Sequence, residues 1–271
     1  MDDVHAFWAQ RWSSPVLGWH KGDVNPHLQK YSHLLLGRSD DDERSDEIAT
    51  RRSIFVPLCG KSVDLAYLAT HPKISHVVGI DIIRNAAEEF SRDHPELFIE
   101  EVILSKDATE DTCERTTESG IFRGRNFTFL VRDVFDFLPM TTDDRAKHTS
   151  DGTYTLFDAI YDRASIVAIK PSLREDYVTL MGELLQSGGT ILLVTLDRRR
   201  TATDEAKREG PPFSIDEGET RQLFESQSWV ESVTLLDEVN ELTNDEERER
   251  WGRKGVIELY EMVFIIKKVL T

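Results

Sequence analysis

The chain has 271 residues, 39% hydrophobic and 31% charged, so it is long enough to bury a sizeable core and is not intrinsically disordered. Its 33 Lys and Arg against 50 Asp and Glu give a net charge of −17. That charge repels nucleic acids and anionic membranes, so we predict neither as a partner. The longest apolar run, around 263–266, is too short to span a bilayer, and two cysteines cannot form a disulfide framework. We therefore expect a cytoplasmic protein.

Patterns typical of helices and strands alternate along the chain. We predict, in chain order, a helix at 4–12, a charged loop at 38–52, a strand at 54–56, a helix at 62–70, a strand at 77–81 and a helix at 85–92. A polar stretch at 105–125 follows, which we expect to be an insertion that contributes nothing to the core.

Regular patterns resume after this stretch. We predict strands at 127–131, 156–161, 191–196, 230–236 and 260–267, and helices at 173–185 and 216–225. Gly188 and Gly189 follow the first of these helices and are expected to form its C-terminal cap. The alternation predicts an α/β fold in which helices cover both faces of a parallel sheet.

The turn after the first predicted strand contains Cys59, Gly60, Lys61 and Ser62. A phosphate-binding P-loop needs another glycine five positions before Gly60, where this chain has Phe55, and no G-x-G-x-x-G motif occurs. A single glycine either permits the close approach of a ligand or serves turn geometry alone. We interpret Cys59 as a small buried residue, since no histidine lies near it in sequence.

Three charged residues lie at or just after the ends of successive predicted strands. Asp81 lies 21 residues after Gly60, the spacing at which a carboxylate accepts hydrogen bonds from a ribose diol, although it could instead cap the next helix. Asp133 could meet an adenine amino group or be an ordinary turn residue. Arg163 could place a cation in the same crevice or form a surface ion pair. Together, Gly60 and Asp81 favour a nucleoside-containing ligand.

Several short segments, each weak alone, are specific in combination and order. They are FWAQRW at 7–12, GWH at 18–20, VPLCGKS at 56–62, VGID at 78–81, YDRA at 161–164, GPPF at 210–213 and ERERWG at 247–252. With them the chain resembles the thiopurine S-methyltransferase family. The resemblance implies a single domain over 1–271 with residues 1–37 as a lid, and a Rossmann-like class I methyltransferase fold. Such a fold has a mostly parallel seven-stranded sheet with an antiparallel terminal strand and helices on both faces.

The resemblance implies S-adenosylmethionine as cofactor, with S-adenosylhomocysteine as product. Trp8 and Trp12 would cover the sulfonium, which tryptophan faces attract, although core packing of the first helix is the alternative. Asp81, where members commonly carry Glu, would hold the ribose. The full set of implied cofactor-binding residues is Trp8, Trp12, Trp19, Leu58, Gly60, Asp81, Asp133, Val134 and Arg163.

The resemblance further implies S-methylation of aromatic or heterocyclic thiols. Arg163 would face the thiol as the main catalytic residue, with Asp162 orienting it or taking a proton through water. Trp19 and either Arg248 or Arg250 would complete the substrate side. Transfer from a sulfonium to a thiolate joins opposite charges, so positioning in a water-poor pocket favours it without a strong base. We expect a small-molecule substrate, a monomer and no metal, since the histidine spacings do not suit a metal site.

Two other functions stay open. One is a methyltransferase for thiocyanate, halide or selenium species, against which the Asp162–Arg163 pair and the single-glycine turn count. The other is a non-catalytic protein that binds S-adenosylmethionine. The acceptor-side residues Trp19 and Arg163 argue against that second alternative, because a binder needs no acceptor pocket.

Overall fold

The computed structural model describes residues 2–14, 19–36, 51–102, 120–137 and 156–271. The chain divides into two compact units, the first comprising Met1–Gln29 and Arg44–Thr155, the second Lys30–Glu43 and Leu156–Thr271. None of the helices in the described ranges has the length and apolar character needed to cross a membrane. A single domain over 1–271 stays a prediction.

The first unit is a mixed sheet with helices. Its elements are α1 (Asp2–Trp12), the start of α2 (Pro26–Leu35), β1 (Arg52–Val56), α3 (Val63–Thr70), β2 (Ile74–Asp81), α4 (Arg84–Asp93), β3 (Glu100–Glu101), β4 (Gly120–Gly124) and β5 (Phe127–Val131). The strands lie in the order β3-β4-β5-β2-β1. β2 is parallel to both of its neighbours, and β4 is antiparallel to β3 and β5.

Burial explains why the parallel strands read as continuous apolar runs. Every residue of β5, and all of β1 except Arg52, is buried, as expected for a parallel sheet covered on both faces. α3 begins after Ser62, whose Oγ accepts the Asp64 N–H at 3.2 Å and so caps the helix. The predicted strands and helices of this unit are present with small changes in their bounds.

The second unit carries the remaining strands. Its elements are β6 (Phe157–Arg163), α5 (Arg174–Leu184), β7 (Leu185–Thr201), α6 (Asp204–Arg208), α7 (Glu217–Glu225), β8 (Val230–Asn240), α8 (Asp245–Gly252) and β9 (Val256–Lys268). The strand order is β6-β7-β9-β8. β6 and β7 are parallel, and β9 is antiparallel to both β7 and β8, which confirms the predicted antiparallel terminal strand.

The described residues form nine strands, whereas we predicted seven. The two additional strands are β3 and β4, and β4 lies inside the stretch at 105–125 that we expected to contribute nothing to the core. That expectation is wrong for the end of the stretch, because Ile121 and Phe122 are buried where β4 pairs with β5. Residues 105–119, and 38–50 of the predicted charged loop, lie outside the described residues.

The predicted glycine cap of the helix at 173–185 is also wrong. α5 ends at Leu184, and its C-cap is Leu185 in an extended conformation, because β7 begins at once. Gly188, at φ 70°, lies within β7 instead. The short helices α6 and α8 were not predicted, and the signals that mark them are the capping side chains of Thr203 and Asn244.

Candidate active site

The turn after β1 is tied to the end of β2. Leu58 and Gly60 have positive φ angles of 41° and 52°, so the chain reverses sharply between β1 and α3. The Cys59 N–H donates to the Ile80 carbonyl at 2.9 Å, and the Gly60 N–H donates to Asp81 Oδ2 at 2.9 Å. The two positions singled out in the sequence, Gly60 and Asp81, are therefore in direct contact.

Asp81 is a buried carboxylate, 9% exposed, at the carboxyl end of β2. Its second oxygen, Oδ1, accepts the Ile83 N–H at 2.9 Å. Burial raises the pKa of Asp81 to about 6, and the N–H bonds from Ile83 and Gly60 oppose that rise. The N-cap of α4 is Ile83, so Asp81 is not simply its cap. Each carboxylate oxygen accepts one N–H and retains a further lone pair, which suits a pair of ligand hydroxyls.

The three tryptophans of the predicted lid form one aromatic cluster over this turn. A Cβ atom on Gly60 would lie 3.5 Å from Cζ2 of Trp12, so the indole covers the glycine. The Trp19 ring meets Trp8 edge-on at 5.6 Å and Trp12 at 6.1 Å between centroids. Trp12 is buried, whereas Trp8 and Trp19 are half-buried, and the Arg11 guanidinium lies over the Trp8 ring, 5.8 Å from its centroid.

A second contact attaches the N-terminal segment near the same turn. The Asn25 N–H donates to the buried Asp64 Oδ1 at 2.7 Å, two residues beyond the Ser62 cap of α3. Asn25 Oδ1 in turn accepts the N–H groups of His27 and Leu28, which caps α2. Sequence patterns did not lead us to Asn25, although Asn followed by Pro26 is an N-terminal helix signal.

Asp133 and Val134 lie after β5, beside the end of β2. Val131 pairs with Asp81 across the two parallel strands, which places both acids at the same edge of the sheet. Asp133 is half-buried, and its Oδ1 accepts the Phe135 N–H at 3.0 Å. Val134 is buried and opens a short 3-10 turn. A half-buried carboxylate and a buried apolar side chain thus follow one another directly after β5.

Lys61 and Cys59 have structural contacts in this turn. The Lys61 ammonium pairs with Glu89 of α4 at 2.7 Å, so it is engaged with a carboxylate. The Cys59 sulfur lies 2.8 Å from the position of a Cβ on Gly79, so only glycine fits there. Burial raises the pKa of the Cys59 thiol well above its usual range, which fits a small packed residue and not a nucleophile.

Asp162 and Arg163 end β6 in the second unit. Asp162 is 1% exposed, and its oxygens accept the Tyr177 hydroxyl at 2.7 Å and the N–H groups of Ser165 and Ile166 at 3.2 and 3.3 Å. Burial raises its pKa to about 6 against these bonds. Arg163 is half-buried, and the next residue, Ala164, has a φ of 65°. Asp162 therefore shapes the turn that presents Arg163.

Arg248 and Arg250 lie on α8. Arg248 donates from Nε to the Leu242 carbonyl at 3.1 Å and pairs with Asp245 at 3.1 Å. Arg250 pairs with Glu247 at 3.3 Å, and its guanidinium lies over the Trp251 ring. Both arginines have partners on their own helix, and a substrate role for either one stays a prediction.

Two buried arginines hold the GPPF segment at 210–213. Arg198, 1% exposed, donates to the carbonyls of Ala206, Glu209 and Pro212 at 2.7, 2.5 and 2.9 Å. Arg174, also 1% exposed, donates to the Phe213 carbonyl at 3.2 Å. Neither was predicted, because an arginine in a charged stretch ordinarily indicates surface. Among the described residues, no cluster of His, Cys, Asp or Glu could hold a metal ion.

The sequence comparisons identify the family. The family model of thiopurine S-methyltransferase matches residues 4–140 and 148–268. The chain belongs to this family. It is 32% identical over 261 residues to a thiopurine S-methyltransferase of Vibrio atlanticus (strain LGP32), in an alignment that covers 96% of each chain. It is 31% identical over 263 residues to that of Pseudomonas putida (strain GB-1), which covers 97% of this chain and 99% of the relative.

Solved structures agree on the fold. Phosphoethanolamine N-methyltransferase 2 of Haemonchus contortus aligns with a TM-score of 0.55 at 13% identity, over 100% of this chain and 58% of that one. TehB of Haemophilus influenzae aligns with a TM-score of 0.52 at 10% identity, over 98% and 67%. The Rossmann-like class I methyltransferase fold is thereby confirmed.

This member of the family is an S-adenosylmethionine-dependent methyltransferase. The residues of the first unit fit that cofactor. The two oxygens of the buried Asp81 suit a ribose diol, the turn at Gly60 lets a ligand approach the backbone closely, and the indole faces suit a sulfonium.

The pKa of Asp162 predicts a pH-dependent stability. The pKa of Asp is near 4 in an unfolded chain, whereas the pKa of Asp162 in the fold is about 6. Burial of its charge therefore lowers the stability of the fold by its full amount above pH 6, by a decreasing amount between pH 6 and 4, and not at all below pH 4. This contribution is at most about 3 kcal/mol, at about 1.4 kcal/mol for each pKa unit. As pH falls from 7 to 4, the free energy of unfolding of wild type should therefore increase relative to that of Asp162→Asn. Parallel pH curves in urea titrations would contradict this.

Proposed function

We propose that this methyltransferase transfers the methyl group of S-adenosylmethionine to the sulfur of small aromatic or heterocyclic thiols. The observation that carries the proposal is the hydrogen bond from Gly60 to the buried Asp81 beneath the Trp12 ring. This arrangement brings together a carboxylate that could accept from a ribose, a turn that a ligand can approach closely, and an aromatic ring that covers the turn. The thiol acceptor is supported by relatives named thiopurine S-methyltransferase over nearly their whole length.

The first unit would hold the cofactor. Asp81 would accept the ribose hydroxyls, and Leu58 and Gly60 would lie along the ligand in the left-handed turn. Trp8, Trp12 and Trp19 would turn indole faces toward the cationic end. Asp133 would accept from the adenine amino group, with Val134 packed against the base: Asp133 already accepts one N–H and retains a further lone pair.

Arg163 and Asp162 are the residues that would serve the acceptor. When bound, S-adenosylmethionine provides an electrophilic methyl group on a cationic sulfur. Arg163 would pair with the acceptor as a thiolate, lower the pKa of the thiol and orient its lone pair. Because opposite charges are joined in the reaction, a water-poor site favours it and no strong base is needed. Asp162, enclosed by its donors, would position Arg163 and not exchange protons with the acceptor.

Direct detection of products tests the acceptor class. We expect methylated products when the protein is incubated with S-adenosylmethionine and aromatic or heterocyclic thiols. Thiocyanate, iodide and selenite should give little product. Mass spectrometry of the methylated acceptor and of S-adenosylhomocysteine measures the result. Preferential methylation of these other acceptors would overturn the thiol assignment. Cofactor binding without any product would support a non-catalytic binder.

The ribose contact is tested with Asp81→Ala. Losing the acceptor leaves ribose hydroxyls unpaired, so binding of S-adenosylhomocysteine should weaken by about 1–3 kcal/mol in calorimetric titration. In wild type the affinity should also fall as pH drops below about 6, because protonation removes the acceptor, while the variant should show little pH dependence. Asp176→Ala, which removes an exposed carboxylate on α5, is the control. Equal affinity of wild type and Asp81→Ala would exclude the ribose role.

The acceptor contact is tested with Arg163→Ala and Arg163→Lys. Both should lower kcat/KM for an aromatic thiol, and Lys should restore little, because a guanidinium orients a flat acceptor through several donors. Affinity for S-adenosylhomocysteine should change less than in Asp81→Ala. Arg200→Ala, which removes an exposed arginine paired with Glu258, is the matched control. If the kcat/KM profiles of wild type and both Arg163 variants against pH coincide, Arg163 does not contact the acceptor, and Arg248 or Arg250 becomes the candidate.

A further inference from the structure

A buried tyrosine reaches the acid next to Arg163. Tyr177 lies on α5, its side chain is fully buried, and its hydroxyl donates to Asp162 Oδ2 at 2.7 Å. The other oxygen of Asp162 accepts the N–H groups of Ser165 and Ile166. One carboxylate thus connects the helix α5 to the turn that follows β6.

That turn has a conformation that needs support. Ala164 has a φ of 65°, in the left-handed region that residues with a Cβ atom seldom adopt. The turn lies directly after Arg163, and the two N–H groups that Asp162 accepts lie directly after Ala164. The hydroxyl of Tyr177 keeps Asp162 aligned with these donors, so the conformation next to Arg163 depends on a side chain 14 residues further along.

The same helix holds the GPPF segment against this turn. The Phe213 N–H donates to the Val167 carbonyl at 2.6 Å. Arg174, three residues before Tyr177 and on the same side of α5, donates to the carbonyls of Phe213 and Ser214 and pairs with Glu219 at 2.5 Å. α5 therefore fixes two segments that the family resemblance singles out, YDRA and GPPF, with two buried side chains.

We propose that Tyr177 is a positioning residue for methyl transfer, which acts through Asp162 to orient Arg163 toward the acceptor. This inference rests on the proposed function, because it assumes that Arg163 contacts the thiol. The competing explanation is a core tyrosine whose hydroxyl is merely satisfied by a nearby carboxylate. The two differ in whether the hydroxyl matters when Arg163 is absent.

A double-mutant cycle with Tyr177→Phe and Arg163→Ala separates these explanations. Tyr177→Phe keeps the ring and removes only the hydroxyl. We expect kcat/KM for an aromatic thiol to fall about 10-fold, with the affinity for S-adenosylhomocysteine unchanged. In the Arg163→Ala background the same change should have less than about a 2-fold effect, because the positioned group is missing. Tyr260→Phe, on β9, should leave both measurements unchanged and serves as the control.

Each outcome has one meaning. An equal loss in both backgrounds would assign Tyr177 a merely structural role and overturn the inference. Unchanged kcat/KM in Tyr177→Phe, together with a loss in Arg163→Ala, would also overturn it while the proposed function stands. No effect of Arg163→Ala would count against the proposed acceptor contact itself. If Tyr177→Phe does not fold, Asp162→Ala removes the acceptor of the Tyr177 hydroxyl and is used in the same cycle.

Discussion

A buried carboxylate at the end of a parallel strand is the constraint on which the first unit of this protein depends. Asp81 is removed from water, which raises its pKa, and two backbone N–H groups compensate in part for the lost hydration. One of these donors belongs to Gly60, so the acid that suits a ribose also fixes the turn along which a ligand would lie. Trp12 then packs on that glycine.

The second unit uses the same device with a different outcome. Asp162 is also buried at the end of a parallel strand, also has a raised pKa and also accepts backbone N–H groups from the turn that follows. Here a third donor, the Tyr177 hydroxyl, takes up the remaining oxygen. Asp81 therefore keeps capacity for a ligand, whereas Asp162 is committed to holding the backbone beside Arg163.

The order of most elements and the positions of several candidate site residues at strand ends could be predicted from the sequence. Apolar runs and helical periods are local signals, so the strands ending near Val56, Asp81 and Val131 appear close to their predicted bounds. Gly60 and Asp81 were likewise singled out together from their spacing, whereas the hydrogen bond that joins them was not predicted. The strand β4 was not, because its two core residues follow a long polar stretch whose composition dominates any sequence window.

What the sequence by itself determined is the α/β pattern, the family and the residue types at the strand ends, because each of these is encoded in short segments. Only the tertiary structure decided that Asp162 is enclosed, that Tyr177 is its partner, and that Arg174 and Arg198 are buried against backbone carbonyls. The physical reason is that burial and hydrogen bonding depend on groups 8 to 40 residues away along the chain. The sequence does not distinguish an arginine that donates its hydrogen bonds to water from one that donates them to buried backbone carbonyls.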